Sequence, residues 1–389
     1  MVARLSWLSF ACLVSASAQA APLFWEDFEG PDLTRWSFVD RKEGATLQRV
    51  DAAARWGDGG LRVEDTDAMA GVGDMSAVYE RFDAGSSSIT LRLWSSVSRP
   101  TSGEAVIAQL FRENQGTTCG FNVVAGTVVA FWDAHGTYQT SAPVPLDAGW
   151  HLYECRAQGV GTDGGTVEAW LDGSPIAVAR GLAWPSQTPN IIGVGQPYSE
   201  DRRFVGIVDV DNVRLGVDLA PSRAEVRLQS SGSVGECVQT QVSLVDSSNT
   251  AASPDRPSTL SIALDGGRAF MEATCQTPLS AVVFQNGDLA RAIFIIAERS
   301  QAVVALSGED VLPSVTPLRF DAGSEDGGTN GGAGVDDGGS TPGDAGVRPV
   351  TSQYGVGCGC ALDGGGGSLL VLLALASGRR RGRLPCSNE

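Results

Sequence analysis

The chain is poor in basic charge: 28 Lys plus Arg stand against 45 Asp plus Glu, a formal net of -17. Only one cation is a lysine, Lys42, a bias that carries no functional weight. A field of this sign repels nucleic acid and anionic lipid, so nucleic acid is the least favoured partner. Histidine is nearly missing, with His135 and His151 the only two. No Gly-x-Ser-x-Gly elbow and no His-Glu-x-x-His helix occurs, which removes two common hydrolase sites. Tryptophan is absent after Trp184, although it recurs at 25, 36, 56, 94, 132, 150, 170 and 184. The body of the chain therefore changes character near residue 217.

What is present suits an exported protein. A length of 389 residues suggests about two domains plus appendages, and 42% hydrophobic residues suffice for packed cores. Residues 1–20 read as a secretory signal, with Arg4 before an apolar run from Leu5 to Val14 and Ala18-Gln19-Ala20 at the cleavage site. Residues 321–357 are mostly Gly, Asp, Ser, Thr and Pro and have almost nothing to bury, so they are expected to be an extended, disordered acidic linker. Residues 358–389 carry Cys358 and Cys360, a short apolar stretch Leu369–Ala376, and the basic cluster Arg379, Arg380, Arg381 and Arg383. Arginines after an apolar stretch stay in the cytoplasm while everything earlier is exported. The stretch is too short for a lasting span, which needs about twenty apolar residues, and suits a transient processing signal better.

This Gly-Cys-Gly-Cys, short apolar helix and arginine cluster resemble the MYXO-CTERM sorting tail of myxobacterial surface proteins. The resemblance implies a sorting protease as partner, Cys358 or Cys360 as the processing and lipid-attachment site, and anchoring at the cell surface or outer membrane. Membrane contact is then made only through the tail or its lipid. The extra Leu384-Pro385-Cys386-Ser-Asn-Glu departs from the family, which stops at or near the arginines.

Four cysteines remain in the body: Cys119, Cys155, Cys237 and Cys275. In an exported chain they read as two disulfides, and no two of them are spaced as a Cys-x-x-Cys zinc pair. The economical pairing is Cys119 with Cys155 and Cys237 with Cys275, with other pairings left open.

Residues 22–217 read as many short strands with no helix. Ile89–Trp94, Val106–Phe111, Thr127–Trp132 and Trp150–Cys155 are strand-like, and turn residues punctuate them at sandwich spacing. Val167–Leu171 and Ile176–Ala179 flank Asp172-Gly173, a hairpin signal because a primed turn needs positive φ. Alternation sets Val167, Ala169 and Leu171 on one face, with Glu168 and Trp170 on the other. In order, Phe24-Trp-Glu-Asp-Phe-Glu-Gly30, Gly57-Asp-Gly-Gly-Leu-Arg-Val63, Gly149-Trp150-His151, Trp170-Leu-Asp172-Gly173 and Val208-Asp-Val-Asp211-Asn212-Val-Arg-Leu215 resemble the concanavalin-like, laminin G-like jelly roll. That resemblance implies a structural calcium, with Asp211 at the closing-strand ligand position and Glu26 and Gly60 where carbonyl ligands would sit.

The same jelly roll hosts glycosidases and lyases. A glycosidase needs two carboxylates flanking one sugar bond, which the family supplies as Glu-x-Asp-x-Glu. No such run is present, and the lyase set of Arg, Gln, His and Tyr on neighbouring strands is not evident either. A non-catalytic role is expected, the fold by itself deciding nothing. Sugars stack on aromatic faces, so Trp94, Trp132 and Trp170 are the ligand-binding candidates, with Trp170 foremost because its neighbours already supply an apolar face on the other side. The alternative is that these rings fill the core.

Residues 218–320 contain the alternating or apolar runs Val238–Val245, Thr259–Leu264, Ala281–Phe284, Ala292–Ile296 and Ala302–Leu306, whose number and spacing suit an immunoglobulin-like sandwich. Gly235-Glu-Cys237 with Val242–Asp246, then Phe270 to Cys275, resembles bacterial Ig-like modules of the invasin type, which serve as spacers in surface proteins.

The expectation is therefore an all-β chain: a jelly-roll β-sandwich, an Ig-like β-sandwich, a disordered linker and a short apolar sorting helix. Its expected role is non-catalytic display of a head that binds carbohydrate or a surface or extracellular protein. A polysaccharide-degrading glycosidase or lyase with a divergent site is the alternative, and a purely structural envelope protein the second.

Overall fold

The computed structural model describes residues 21–41, 44–65, 76–83, 85–112, 116–134, 136–184, 188–197 and 204–322. The signal segment, His135, nearly all of the acidic linker and the whole tail, with Cys358, Cys360, Arg379, Arg380, Arg381 and Arg383, lie outside the described residues. Among the described residues no helix is long and apolar enough to cross a membrane.

Numbered along the chain, the first sandwich comprises β1 (Phe24–Glu26), β2 (Phe38–Asp40), β3 (Ala45–Val50), β4 (Gly60–Asp65), β5 (Ser76–Arg81), β6 (Ser88–Ser102), β7 (Glu104–Phe111), β8 (Thr117–Val124), β9 (Thr127–Ala134), β10 (Thr137–Thr140), β11 (Val144–Pro145), β12 (His151–Gln158), β13 (Gly165–Leu171), β14 (Ser174–Leu182), β15 (Ile191–Gln196) and β16 (Val205–Gly216). Its first sheet runs β14-β13-β12-β6-β16-β4-β3, with β1 against β16. Its second runs β10-β9-β8-β7-β15-β5-β2, with β11 against β9. Every strand anticipated in this region coincides with one of these, with Trp150 lying one residue before β12. The Asp172-Gly173 hairpin has positive φ at both residues, 50° and 70°, as a primed turn requires.

Side chains alternate between faces, so each sheet has one inward set. Leu91, Leu93, Tyr153, Cys155, Val167, Ala169 and Leu171 from the first sheet meet Phe121, Val123, Ile192 and Val194 from the second in one core. Cys119 of β8 is bonded to Cys155 of β12, which ties the two sheets together through that core.

The second sandwich comprises β17 (Arg223–Leu228), β18 (Cys237–Val245), β19 (Ser258–Asp265), β20 (Gly267–Phe270), β21 (Ala281–Phe284), β22 (Ala290–Ala297), β23 (Gln301–Gly308) and β24 (Val311–Arg319). Strand order is β20-β22-β18-β17-β24-β23-β19-β21, and its first strand meets its last in parallel at Arg223 and Leu312. It has a separate core around Val242, Phe284, Ile295 and Val304. Cys237 is bonded to Cys275.

The two sandwiches are parts of one compact unit. The outward side chains of the first sheet include Thr90, Arg92, Glu154 and Arg214, all buried, and the second sandwich supplies their partners. Arg214 is bidentate to Asp255 and donates from Nη1 to the Asp218 carbonyl at 2.7 Å. Arg92 donates to the carbonyls of Pro221 and Asp310 and pairs with Glu154, whose other oxygen accepts from the Ser247 hydroxyl.

Candidate functional site

The three tryptophans singled out from the sequence offer no open ring face. Trp132 points into the inter-sheet core and is 6% exposed. Trp170 does point outward, as alternation requires, but is 5% exposed with the Arg156 guanidinium 5.6 Å from its ring centroid. Trp94 is also outward yet 2% exposed, beneath the Arg55 guanidinium at 3.3 Å. The correction has a simple cause: alternation tells which face a side chain takes, not what lies against that face.

The side-chain oxygens of Asp211 and Glu26 are engaged by backbone N–H groups. Asp211 is buried, and its Oδ2 accepts the backbone N–H groups of Arg55 (2.9 Å) and Trp56 (3.1 Å). Its Oδ1 accepts that of Asn212 at 2.8 Å. Donor hydrogens thus surround this carboxylate where a cation needs oxygens. Glu26 Oε1 is spent on the Phe28 N–H at 2.8 Å. Gly60 is required for closeness, since a Cβ there would lie 1.8 Å from the Ala53 carbonyl oxygen. Among the described residues no group of three or more His, Cys, Asp or Glu is placed to hold a metal.

Burial pushes the Asp211 carboxyl up to about 7, against the opposing pull of its three N–H bonds. His151 is raised as well, mainly by its 2.6 Å hydrogen bond from Nδ1 to Asp172, with Nε2 3.0 Å from Asp147. Only an imidazolium carries an N–H for both carboxylates. Both shifts run in one direction. A proton held more tightly when folded stabilises below the unfolded pKa and ceases to do so as pH rises through the folded one. Stability from Asp211 is accordingly lost between about pH 4 and 7, and that from His151 is lost above about 6.5. The melting temperature is expected to be higher at pH 5.5 than at pH 8. Asp211→Asn should flatten the lower part of that fall and His151→Gln the upper part; a melting temperature that climbs with pH would refute both assignments.

The outer face of the second sheet is built differently. One row of paired residues crosses it from edge to edge: Phe38, Tyr79, Gly193, Gln109, Gly120, Phe131 and Thr140. The two glycines are where rings lie flat on the sheet. A Cβ on Gly193 would meet Tyr79 Cε1 at 2.9 Å, and one on Gly120 would meet Phe131 Cζ at 2.5 Å. A second ring lies over each. Phe38 stacks on Tyr79 with centroids 4.5 Å apart and planes 6° apart, and Tyr138 lies tilted over Phe131 at 5.4 Å with planes 33° apart. The outer rings are partly exposed, Phe38 at 39% with the Arg81 guanidinium 5.6 Å from its centroid and Tyr138 at 53%. Between the two ring pairs the outward groups are uncharged, with Gln109 and Asn122 buried and the Asn122 Oδ1 lacking a hydrogen-bond partner.

Among the described residues, the carboxylates on this face are Asp40, Glu104 and Asp133, on β2, β7 and β9. At about 4.8 Å per strand, Asp40 and Glu104 are about 14 Å apart across the sheet, and Asp40 and Asp133 about 24 Å. Glu104 and Asp133 are two strands apart, about 10 Å, and offset by six residues along them, about 20 Å more. None of these pairs falls in the roughly 5–9.5 Å window of a glycosidase. Asp133 Oδ2 is committed to the Thr117 N–H at 2.6 Å.

None of these aromatic residues was singled out from the sequence. The available signal was glycine inside strands, Gly120 in β8 and the Gly193-Val-Gly195 of β15, because a strand glycine marks a close approach of something else.

No protein-family model matches this chain. No curated protein matches it either. Solved structures similar to it include an endo-β-1,4-glucuronan lyase from the fungus Trichoderma reesei, at 15% identity and TM-score 0.41, covering 51% of this chain and 96% of that one. A carbohydrate esterase, vb_24B_21 from the Shiga toxin-encoding bacteriophage phi24B, is similar at 12% identity and TM-score 0.38, covering 51% and 98%. The receptor binding domain of botulinum neurotoxin type G is similar at 6% identity and TM-score 0.35, covering 74% and 86%. At that level of likeness the three say nothing about this chain's chemistry, which rests on its own residues.

Proposed function

We propose that this is an exported, surface-anchored, non-catalytic protein whose first sandwich is a jelly roll that binds carbohydrate on the outer face of its second sheet. The observation that carries the reading is the two ring pairs, each seated on a strand glycine and each ending in a partly exposed aromatic ring. Sugars present apolar ring faces edged by hydroxyls, which suits flat aromatics beside neutral amides. The spacing of the three carboxylates described on this face supports binding over glycoside hydrolysis there. Tyr79 is a poor proton-transfer group for a lyase, since its hydroxyl donates to the Pro197 carbonyl at 3.0 Å and burial pushes its pKa up. The second sandwich is read as Ig-like, which its parallel first and last strands support. The acidic linker and MYXO-CTERM-like tail complete the reading as a tether to the envelope.

A glycan array probed with the mature protein, with polysaccharide turnover assayed in parallel, tests this. Binding without turnover is expected, and Tyr138→Ala should weaken it by at least about tenfold, the worth of one aromatic contact. Turnover would move the protein to the degradative class. Neither binding nor turnover would leave a structural envelope role.

A further inference from the structure

The two ring pairs, one stacked and one tilted, are variants of one device on one sheet. Each sets an aromatic ring on a glycine, Tyr79 on Gly193 and Phe131 on Gly120, and covers it with an exposed ring from an edge strand. Phe38 lies on β2 at one edge and Tyr138 on β10 at the other. Six strand spacings separate those strands, about 29 Å. The five inner positions between them on that row are Tyr79, Gly193, Gln109, Gly120 and Phe131, and none is charged. Building on the ligand-face reading above, we propose that the face recognises the interior of a single, soluble, uncharged linear polysaccharide, held at two separate aromatic platforms at once.

Three observations select that occupant. Two exposed platforms this far apart give a short sugar two equivalent places to bind, and a long chain one place that uses both. The second contact of a long chain is then intramolecular and strengthens binding without any new interaction. Neighbouring strands are rotated by roughly 20–25°, so the platforms are turned relative to one another across the sheet. A single chain that turns along its length can meet both, whereas the flat surface of a crystalline polymer cannot. Charge selects the third property. Asp40, Glu104 and Asp133 share the face with Arg81, and Arg81, Asp40 and Glu104 already have partners. Polyanions are further repelled by the net -17 of the chain.

The experiment is titration calorimetry of the full mature protein with two-sugar and eight-sugar members of the neutral β-glucan, xylan, mannan and chitin series, with a glucuronan octamer and microcrystalline cellulose alongside. In one neutral series the two-sugar ligand is expected to bind at two per protein. Its eight-sugar counterpart should bind at one per protein and on the order of 100-fold tighter. Phe38→Ala or Tyr138→Ala should each bring the octamer back close to the affinity of the dimer, and should halve the dimer's stoichiometry while leaving its affinity nearly unchanged. Because both rings are exposed, neither variant is expected to disturb folding, which far-ultraviolet circular dichroism checks. Equal affinity for dimer and octamer at one per protein, tighter binding of the glucuronan, or capture on cellulose would overturn this inference and leave the ligand face standing. Failure of every sugar to bind would overturn both.

Discussion

Asp255→Ala, a change in the second sandwich, is expected to lower the melting temperature of the first. Arg214 of β16 is buried with Asp255 as its bidentate partner, so the variant leaves a guanidinium out of water and unpaired. Orphaning one member of a buried pair costs about 3–5 kcal/mol. In a body of this size that is roughly 10 °C. The measurement is unusually direct, because no tryptophan lies after residue 184. Tryptophan fluorescence therefore originates in the first sandwich, with Trp25 at its seam with the second. If the second were a spacer tethered by Leu219–Ser222 and no more, the fluorescence transition would not move. Replacing both partners at once, Arg214→Met with Asp255→Leu, should recover much of the loss, since two apolar groups leave no unpaired charge. Recovery separates a lost ion pair from a second sandwich that simply fails to fold. The seam continues beyond this pair. Arg256 packs over Trp25 at 4.3 Å and bonds Asp27 at 3.2 Å and Glu309 at 2.6 Å, while Arg55 donates to the Glu309 carbonyl.

The second large effect is expected from the disulfide between the sheets. Cys119 and Cys155 are both buried and are separated by 36 residues, a loop whose closure in the unfolded chain is worth about 4 kcal/mol. Cys119→Ala with Cys155→Ala also removes two sulfurs from the core, so the loss should meet or exceed that figure. Cys237 and Cys275 span a similar 38 residues but lie half-buried, with Cys275 in the loop after β20. A mild reductant is therefore expected to open the second bond well before the first, by thiol trapping and mass spectrometry. Loss of the Cys119–Cys155 bond first would show that the core of the first sandwich opens more readily than its packing implies.

Much of the architecture was legible in the chain. Strand positions such as Val167–Leu171 followed from alternation, and the Asp172-Gly173 turn followed from the need for positive φ. The economical cysteine pairing is the one that the structure forms. The end of the tryptophans at Trp184 falls before the change from one core to the other. These inferences concern neighbours along the chain or gross composition, where local propensity dominates.

The site was much less legible. Trp94 and Trp170 face outward as alternation demands, yet both are covered, because their exposure depends on what packs against the first sheet. Asp211 was read as a metal ligand, but its partners are backbone N–H groups at Arg55 and Trp56, some 155 residues away in the chain. Phe38 and Tyr138 look like ordinary strand residues until sheet order places Tyr79 and Phe131 beneath them and glycines beneath those. By itself the sequence determined which residues form strands, which way their side chains alternate and where the chain turns, since these depend on spacing of a few residues. Tertiary structure alone decided which outward faces are sealed and which are open, because sheet order and the docking of one sandwich on another join residues that no local pattern relates.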